Sequence, residues 1–454
     1  MDESEVFNRV QAATGEPAKH QGAFKIGRRT YEQQYADFYF VRLHTLKPSV
    51  LEQATKRWDQ GDGRRAITYT PKVLNVEGNE LTYIIGTLFI DAPAKASTLA
   101  EVSKEHWISD PKTEGVRYRG EGEEVHLEDE SGRIHLVGKF VDQAMVASGV
   151  VAAVLGKETP SGEFEVIDMC FAGMAPQPPL PMVDEKYVAL ISGLNTTAEC
   201  PVTLEMQVLA EYLCGNLGSS RDQMAESKIA QVVVAGNLLS IPPAPVGHAE
   251  DAKVNDRSPV QRMIEDLDEY LADIAATVPL TLMPGKRDPA DISIPQQPLH
   301  PCMFAKSRMY SGFRSITNPG WLEVDGVTML GSSGQNVDDL ASYLTEEMAS
   351  ITSGGASGST GSHCHLAAKS LQWRHIAPSA PDTLWCYPFT DHDPFILTET
   401  PHVYFVGNQE KFDTRLVEGD DGRQARVVMV PSFSETHTIV LLNLSNMACS
   451  TVKL

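Results

Sequence analysis

The first clear pattern along the chain is a helical stripe of apolar residues within residues 1–65, after a weakly patterned beginning. Apolar side chains recur at three- and four-residue intervals through YADFYFVRLHTL, which predicts an amphipathic helix. Pro48 interrupts this pattern, so a second short helix is predicted after it. Such a stripe is typical of a face that packs within a fold. Its members are Tyr35, Phe38, Tyr39, Leu43 and Leu46, followed by Leu51, Ala54 and Trp58.

Between residues 66 and 176 the pattern changes to short β-branched and apolar runs separated by turns. A hairpin turn is predicted at 128–132, where Gly132 supplies the special backbone conformation. Gly86 and Gly149 interrupt long runs, as expected where a strand bends sharply. Roughly five or six strands in about 110 residues predict an OB-type all-β barrel. The predicted strands are 72–76, 81–90, 124–127, 133–137, 145–155 and 164–172.

A proline-rich hinge at 177–186 leads into a region, 187–454, where strand patterns alternate with helical ones. This alternation predicts an α/β design of sheet and helix layers. Ser258 and Pro259 suit the N-cap and first turn of a helix. Two inserts, near 241–256 and 353–362, are rich in Pro, Gly, Ser and Ala and are predicted to be mobile. The predicted strands are 187–192, 230–235, 280–283, 324–330, 402–406, 426–430 and 438–444, with helices at 204–214, 259–274 and 337–348.

Composition narrows the possible functions. The 454 residues carry 60 acidic and 38 basic side chains, a formal net charge of −22, which disfavours tight intrinsic binding to nucleic acid. No apolar run approaches the roughly 18 residues that span a bilayer, and the acidic start lacks the apolar core of a secretory signal. The seven cysteines show no CxxC spacing, so they predict reduced thiols rather than a zinc or redox motif.

Four segments place glycine-containing turns directly after buried strands. A two-metal phosphoesterase needs Asp, His and Asn at such strand ends, because these ligands suit hard and borderline cations. Here the corresponding places hold Gly, Asn, Lys, Arg and Glu. The sequence therefore indicates the frame of a metal-dependent enzyme without its ligands. The segments are ISGLN (191–195), VVVAGNLLS (232–240), LMPGKRDP (282–289) and YFVGNQE (404–410).

The order of barrel, hinge and layered region resembles the B subunits of replicative DNA polymerases. Several strings are most similar to the small subunits of eukaryotic DNA polymerase delta, and the similarity runs from about residue 30 to the C-terminus. Long strings in the right order are more specific than any single glycine motif. Besides ISGLN and LMPGKRDP, they are EDESGRIHL (128–136), GEFEVIDMCFAG (162–173), IPQQPLHPCMF (294–304), GSSGQNVDDL (331–340) and LQWRHIAPSAPDTLWCYPF (371–389).

The resemblance implies a calcineurin-like phosphoesterase fold joined to an OB barrel. Active relatives of this fold carry Asp-x-His, Gly-Asp, Gly-Asn-His-Asp and Gly-His-x-His motifs. Only Asp288 keeps its type, at a position that is not a principal metal ligand. A cation beside a dication costs roughly 8 kcal/mol at about 4 Å and an effective dielectric of about 20, so two adjacent cations oppose metal binding further. The ligand positions fall on Gly193, Asn195, Asn237, Lys286, Arg287, Asn408 and Glu410.

The function implied is a non-catalytic scaffold subunit of DNA polymerase delta, in the nucleus, for DNA replication and repair. The resemblance implies that the chain has no cofactor, no metal and no catalytic residue. The expected partners are the C-terminal cysteine-rich domain of the catalytic subunit and the N-terminal domain of a further accessory subunit. That accessory subunit connects to the sliding clamp, so the clamp is expected to be an indirect partner of this chain. Little direct DNA binding and no membrane contact are expected.

Two other functions remain open from sequence. One is a metal-dependent phosphoesterase or nuclease with relocated ligands. The other is a single-stranded DNA-binding subunit that uses the barrel, since such barrels bind bases through aromatic side chains over a basic groove. The candidate relocated ligands are Asp288, Glu410, His375 and His402, or the pair His363 and His365.

Overall fold

The structure is a computed structural model, and it describes residues 8–30, 32–58, 67–78, 80–93, 95, 117–120, 122–240, 259–352, 360–419 and 421–454. The insert predicted at 241–256 lies outside the described residues, as do residues 353–359 of the second insert. The remainder of the second insert, 360–362, lies at the start of a helix, Thr360–Gln372, and its mobility stays a prediction.

The N-terminal part contains β1 (Thr14–Gly15) and the helix α1 (Ala36–Trp58). The prediction of two helices separated by Pro48 was wrong, since one helix continues through this proline. Proline costs one backbone hydrogen bond inside a helix, but Leu46 and Val50 are buried on either side of it. Packing of this face on the barrel therefore outweighs the local preference of proline to end the helix.

The next part is a closed barrel. It comprises β2 (Thr68–Tyr69), β3 (Thr82–Asp91), β4 (Glu124–Glu128), β5 (Arg133–Val137), α2 (Lys139–Gln143), β6 (Val151–Glu158) and β7 (Phe164–Cys170). The strand order is β2-β3-β4-β5-β7-β6, and pairing of β3 with β6 closes the barrel with OB-type connectivity. The predicted hairpin at 128–132 is confirmed, with the Asp129 amide donating to the Gly132 carbonyl.

Two predicted barrel strands were wrong in part. Residues 72–76 form a short 3₁₀ turn, Val73–Asn75, whose first amide donates to the Asp129 carboxylate at 2.8 Å. The strand predicted over 145–155 begins only at Val151, because the preceding residues turn through Gly149, which has φ +83°. Both errors arise where residues with a strand-like pattern form a turn instead.

The layered region contains two six-stranded sheets. The first follows the order β11-β10-β9-β8-β17-β18, with β8 to β11 parallel. Its strands are β8 (Tyr187–Ile191), β9 (Ile229–Ala235), β10 (Leu280–Met283), β11 (Phe313–Ser315), β17 (Thr438–Asn443) and β18 (Cys449–Lys453).

The second sheet follows the order β1-β12-β13-β14-β16-β15, so the N-terminal strand β1 joins the layered region. Its remaining strands are β12 (Gly320–Val324), β13 (Val327–Ser332), β14 (Val403–Gln409), β15 (Asp413–Glu418) and β16 (Gln424–Pro431). The single strand predicted over 324–330 was wrong: Asp325 and Gly326, both with positive φ, form a hairpin turn between β12 and β13.

Helices cover the outer face of each sheet, while the inner faces share one apolar core. The helices α3 (Leu204–Cys214) and α5 (Pro259–Ala275) pack on the first sheet, and α4 (Ser220–Glu226) follows α3. The second sheet is covered by α6 (Gln335–Ala341), α7 (Glu346–Thr352) and α8 (Thr360–Gln372). The short α9 (Phe433–Thr436) follows β16. The α/β class with an OB-type barrel is thus confirmed, but the helix predicted over 337–348 is two helices.

None of the helices in the described ranges combines the length and hydropathy needed to cross a bilayer. All seven cysteines are free, and Cys170, Cys364 and Cys386 are buried.

Candidate functional site

A polar cleft lies where the strands β8, β9, β10 and β14 deliver their following loops to one edge of the two sheets. It encloses a cavity of about 230 Å³. Parallel strands bring their carboxyl ends to the same edge, so the four segments singled out in the sequence meet here. The lining residues are Asn195, Asn237, Arg287, Asn408, Gln409, Glu410, Ser432 and Glu435.

Five of the seven predicted positions therefore line this cleft. Gly193 is buried beside it, and Lys286 is exposed outside the lining. Sequence reasoning missed Gln409, Ser432 and Glu435. Ser432 directly follows β16 and Glu435 lies in the short helix α9. This strand end lacks the glycine turn that marked the others, although it also follows a predicted strand.

The backbone explains why asparagine and glycine occupy these strand ends. Gly193, Asn195, Asn237 and Asn408 have φ values of 62°, 48°, 52° and 57°. This left-handed region favours glycine and tolerates asparagine better than most other residues. A β-carbon at position 193 would lie 2.5 Å from Ser432 Oγ and 3.1 Å from its Cα. Position 193 therefore has no space for a larger side chain without a shift of the loop after β16.

The asparagine amides hold the loops of the cleft together. The Nδ2 group of Asn408 donates to the carbonyl oxygens of Ala235 at 3.1 Å and Ser333 at 2.8 Å. The Nδ2 group of Asn195 donates to Ser434 Oγ at 2.9 Å. These donors orient each amide, and the Oδ1 atoms of Asn195 and Asn408 remain buried without a hydrogen-bond partner among the described residues.

The charged groups at the cleft are the exposed side chains of Arg287, Glu410 and Glu435. Among the described residues, no group of three or more His, Cys, Asp or Glu side chains is arranged to hold a metal ion. The polar residues of the cleft therefore serve to connect its loops by hydrogen bonds.

Asp288, the residue that keeps its type, faces the backbone instead of the cleft. Its Oδ1 accepts the Leu239 amide at 2.9 Å, and its Oδ2 accepts the Gly285 amide at 2.8 Å. The side chain is fully buried, and this burial raises its pKa to about 7 against the opposing effect of the amide hydrogen bonds. Asp288 thus connects the loops that follow β9 and β10.

The other relocated ligands are dispersed. His375 Nε2 lies 2.8 Å from Asp393 Oδ2 in the core, and His402 lies between Thr328 and the Pro178 carbonyl. On α8, His363 contacts Gln409 at 2.8 Å, whereas His365 contacts Arg415 at 2.8 Å. Only Glu410 of the relocated set lines the cleft.

The barrel offers few open rings for stacking bases. The tyrosine and phenylalanine rings on its described strands are engaged within the fold. Tyr69 packs on Tyr83 with ring centroids 5.2 Å apart, and Phe164 is buried. The Phe89 ring has the Arg133 guanidinium 4.9 Å from its centroid. These contacts disfavour a stacking platform of the kind that single-strand-binding barrels use.

Comparison with known proteins identifies relatives over most of the chain. A family model for the B subunits of DNA polymerases alpha and epsilon matches residues 188–414, and one described as DNA polymerase delta subunit OB-fold domain matches residues 34–169. The DNA polymerase delta small subunit of Arabidopsis thaliana is 39% identical, over 94% of this chain and 93% of that protein. The small subunit of Saccharomyces cerevisiae is 33% identical, over 94% and 90%. DNA polymerase delta subunit 2 of Drosophila melanogaster is also 33% identical, over 94% and 95%.

Proposed function

Since the chain belongs to the family of DNA polymerase delta small subunits, we propose that it is a non-catalytic accessory subunit of a DNA polymerase delta complex. It acts in DNA replication and repair, in the nucleus. The observation that carries this proposal is identity of 39% that extends over both the barrel and the layered region. A scaffold needs both the barrel and the layered region, because its partners recognise its surfaces and not a single cleft.

The cleft is an inactivated phosphoesterase site in this proposal. Its seven degenerate positions are Gly193, Asn195, Asn237, Lys286, Arg287, Asn408 and Glu410. Without a bound metal, the cleft cannot generate a hydroxide at neutral pH in the way that phosphoesterases do.

Three contacts support this inactivation. Ser432 occupies the space that an aspartate at position 193 would need. The Asn408 amide is committed to the Ala235 and Ser333 carbonyl groups, so it ties loops together. Arg287 places a cation on the wall of the cleft, where it repels a dication.

The proposed partners are the C-terminal cysteine-rich domain of the catalytic subunit and the N-terminal domain of a further accessory subunit. The accessory subunit in turn connects to the sliding clamp. Exposed apolar side chains on and beside the barrel fit such interfaces. Leu74 is 72% exposed, Ile167 on β7 is 51% exposed, and Met182 in the segment between barrel and layers is fully exposed. Permanent interfaces tend to be large and apolar at their centre.

The direct experiment is co-expression with the C-terminal region of the catalytic subunit from the same organism. We expect a near one-to-one complex that survives high salt, because an apolar interface is little screened. The variant Ile167→Asp should weaken this complex. Leu204→Asp, also exposed but on α3, which packs on the first sheet of the layered region, is the matched control. Failure of the wild-type chain to co-purify would argue most strongly against the proposed function.

The inactive cleft is tested separately. The purified chain should carry no stoichiometric manganese, zinc or iron, and it should not hydrolyse a model phosphodiester when manganese is added. Metal-dependent hydrolysis by the purified chain that survives further purification would contradict this part of the proposal. The complex could still form in that case.

A further inference from the structure

The first sheet of the layered region ends in an unusually short strand, β11, whose outer edge is open. The Gly312 carbonyl accepts the Leu280 amide, and the Ile316 amide donates to the Leu282 carbonyl. In a parallel ladder, successive residues of a strand direct their backbone N–H and C=O groups alternately toward the paired strand and away from it. The Ser315 amide and the Phe313 and Ser315 carbonyls therefore point away from β10. No strand in the described ranges pairs with that side of β11.

A pocket of about 290 Å³ lies along this open edge. All three residues of β11 line it, as expected for a pocket that follows the edge of a strand. Its floor is apolar: Leu299 and Phe304 are almost fully buried, and the Phe304 ring lies 5.4 Å from the Phe313 ring. The volume of the pocket suits a single apolar side chain from outside, which would pack against the Phe313 ring and the apolar floor.

The pocket also contains a polar atom that lacks a partner. Ser315 Oγ is buried, yet it makes no hydrogen bond within the described residues. A buried hydroxyl without a partner is costly, so this end of β11 is incompletely hydrogen-bonded among the described residues.

The rim of the pocket is cationic, although the chain as a whole has a net charge of −22. Arg308 and Arg314 are both exposed, and neither has a carboxylate partner among the described residues. Arg314 Nη1 donates to the Thr14 carbonyl at 2.6 Å, which leaves its remaining N–H groups free to bind elsewhere. The His300 Nδ1 atom accepts the Cys302 amide, so the neutral ring carries its proton on Nε2.

We propose that this edge pocket, defined by Leu299, His300, Phe304, Arg308 and residues 313–315, is a docking site for an extended acidic segment of a partner protein. The segment adds a strand to β11 through main-chain hydrogen bonds. It places one large apolar side chain in the pocket against Phe313 and Leu299, and its carboxylates pair with Arg308 and Arg314. Strand addition of this kind obtains affinity from the main chain and specificity from pockets for alternate side chains. The site is separate from the cleft and from the barrel, and it does not depend on the polymerase assignment.

Charge complementarity favours an acidic peptide over nucleic acid at this site. Tight binding of a phosphate backbone requires many cations arranged along it. The edge pocket supplies two arginines and a histidine around an apolar floor. An open strand edge has hydrogen-bonding groups for another polypeptide backbone, whereas nucleic acid has none that match this spacing.

The test is selection of random displayed peptides, long enough to span an edge strand, on the full-length chain. We expect the selected peptides to carry Asp and Glu on both sides of one aromatic or large aliphatic residue. A synthetic selected peptide should bind about tenfold or more weakly to Arg308→Glu, because the substitution removes a charge-assisted pair and sets a like charge against the carboxylates of the peptide. Arg308→Glu with Arg314→Glu should weaken binding further. Hydrogen exchange should show that bound peptide slows exchange of the Ser315 amide.

The matched control is Arg28→Glu with Arg221→Glu, which changes net charge by the same amount at two exposed arginines elsewhere. This pair should leave peptide binding within twofold of wild type. The proposal is overturned if the selected peptides are not acidic, or if both arginine pairs weaken binding equally. It is also overturned if the Ser315 amide is unaffected. A single-stranded oligonucleotide that displaces the peptide and binds more tightly would identify the pocket as a nucleic-acid site instead.

Discussion

The guanidinium of Arg42 lies against the carboxylate of Asp393, with Nε 2.7 Å from Oδ2 and both side chains fully excluded from solvent. The remaining N–H groups of this arginine donate to the carbonyl oxygens of Gly149, Pro378 and Ala380. Helix α1, the barrel and the layered region therefore meet at a single buried cation. This contact explains how α1 contributes to the arrangement of both parts of the chain.

Replacement of Arg42 by alanine should destabilise the protein by about 3–5 kcal/mol, because it leaves the Asp393 charge buried beside three carbonyl groups without donors. Equilibrium unfolding in urea measures this change. Arg28→Ala, at an exposed position, is the control and should change the free energy of unfolding by less than about 0.5 kcal/mol. Equal effects of the two substitutions would show that the buried contacts of Arg42 do not contribute to stability.

His375 shares the same carboxylate and makes the stability depend on pH. The Ala377 amide donates to Nδ1, so the neutral ring donates from Nε2 to Asp393. Burial, reinforced by the nearby Arg42, lowers the pKa of His375 to about 4 from the usual 6.5. The unfolded chain therefore takes up a proton below about pH 6.5 that the folded chain refuses until about pH 4.

The stability contributed by neutral His375 should thus be complete above pH 6.5 and decrease as the pH falls toward 4. The slope should approach about 1.4 kcal/mol per pH unit. Urea unfolding of the wild type and of His375→Gln across this range isolates the effect as the difference between the two curves. A constant difference would mean that His375 does not titrate as its surroundings require.

The barrel and the layered region approach each other closely at Gly149. A β-carbon there would overlap the Pro378 carbonyl oxygen and the Arg42 guanidinium. Gly162 has the same φ, +83°, but nothing within 4 Å of its β-carbon position. Gly162→Ala should therefore cost only the backbone term, about 1–2 kcal/mol. Gly149→Ala should cost roughly 1–3 kcal/mol more, because the overlap must be relieved.

Thermal or urea unfolding of both glycine variants measures this difference. Similar decreases in unfolding free energy at the two positions would indicate that the interface between the barrel and the layered region can shift at little cost to accommodate a β-carbon. That result would contradict the close packing inferred around Arg42.

Periodicity predicted the elements that are amphipathic or uniformly apolar and bounded by clear turns. The helix 204–214 and the strands 133–137 and 280–283 have the predicted bounds. Local signals failed where distant packing decides the structure. Helix α1 continues through Pro48 because its face is buried against barrel strands far along the chain. A turn at Asp325 and Gly326 was hidden inside an apolar run.

The sequence predicted those residues of the cleft that directly follow a recognisable strand. Gly and Asn after apolar runs led to Asn195, Asn237 and Asn408, which do line one cavity. Ser432 was missed because its loop has no glycine turn. The contact between Arg42 and Asp393 had no signal in one sequence, since 351 positions separate the two residues and neither belongs to a motif.

Asp288 provides a prediction about the loops that form the cleft. Its carboxylate accepts the amides of Leu239 and Gly285 in a fully buried position. Asp288→Ala leaves both amides without an acceptor and should lower the free energy of unfolding by about 2–3 kcal/mol. Asp288→Asn keeps one acceptor oxygen, so at acidic pH it should lower the free energy of unfolding by less than Asp288→Ala does.

The same two variants test the titration of this group. Burial raises the pKa of Asp288 from 3.8 to about 7, so the folded chain keeps a proton that the unfolded chain releases near pH 4. The stability that this group contributes should therefore decrease as the pH rises from about 4 to 7, and Asp288→Asn should lack this decrease. Asp266→Asn, at an exposed position on α5, is the control and should unfold with the pH dependence of the wild type. If Asp288→Asn keeps that dependence too, the carboxylate is ionised throughout, and its amide hydrogen bonds outweigh its burial.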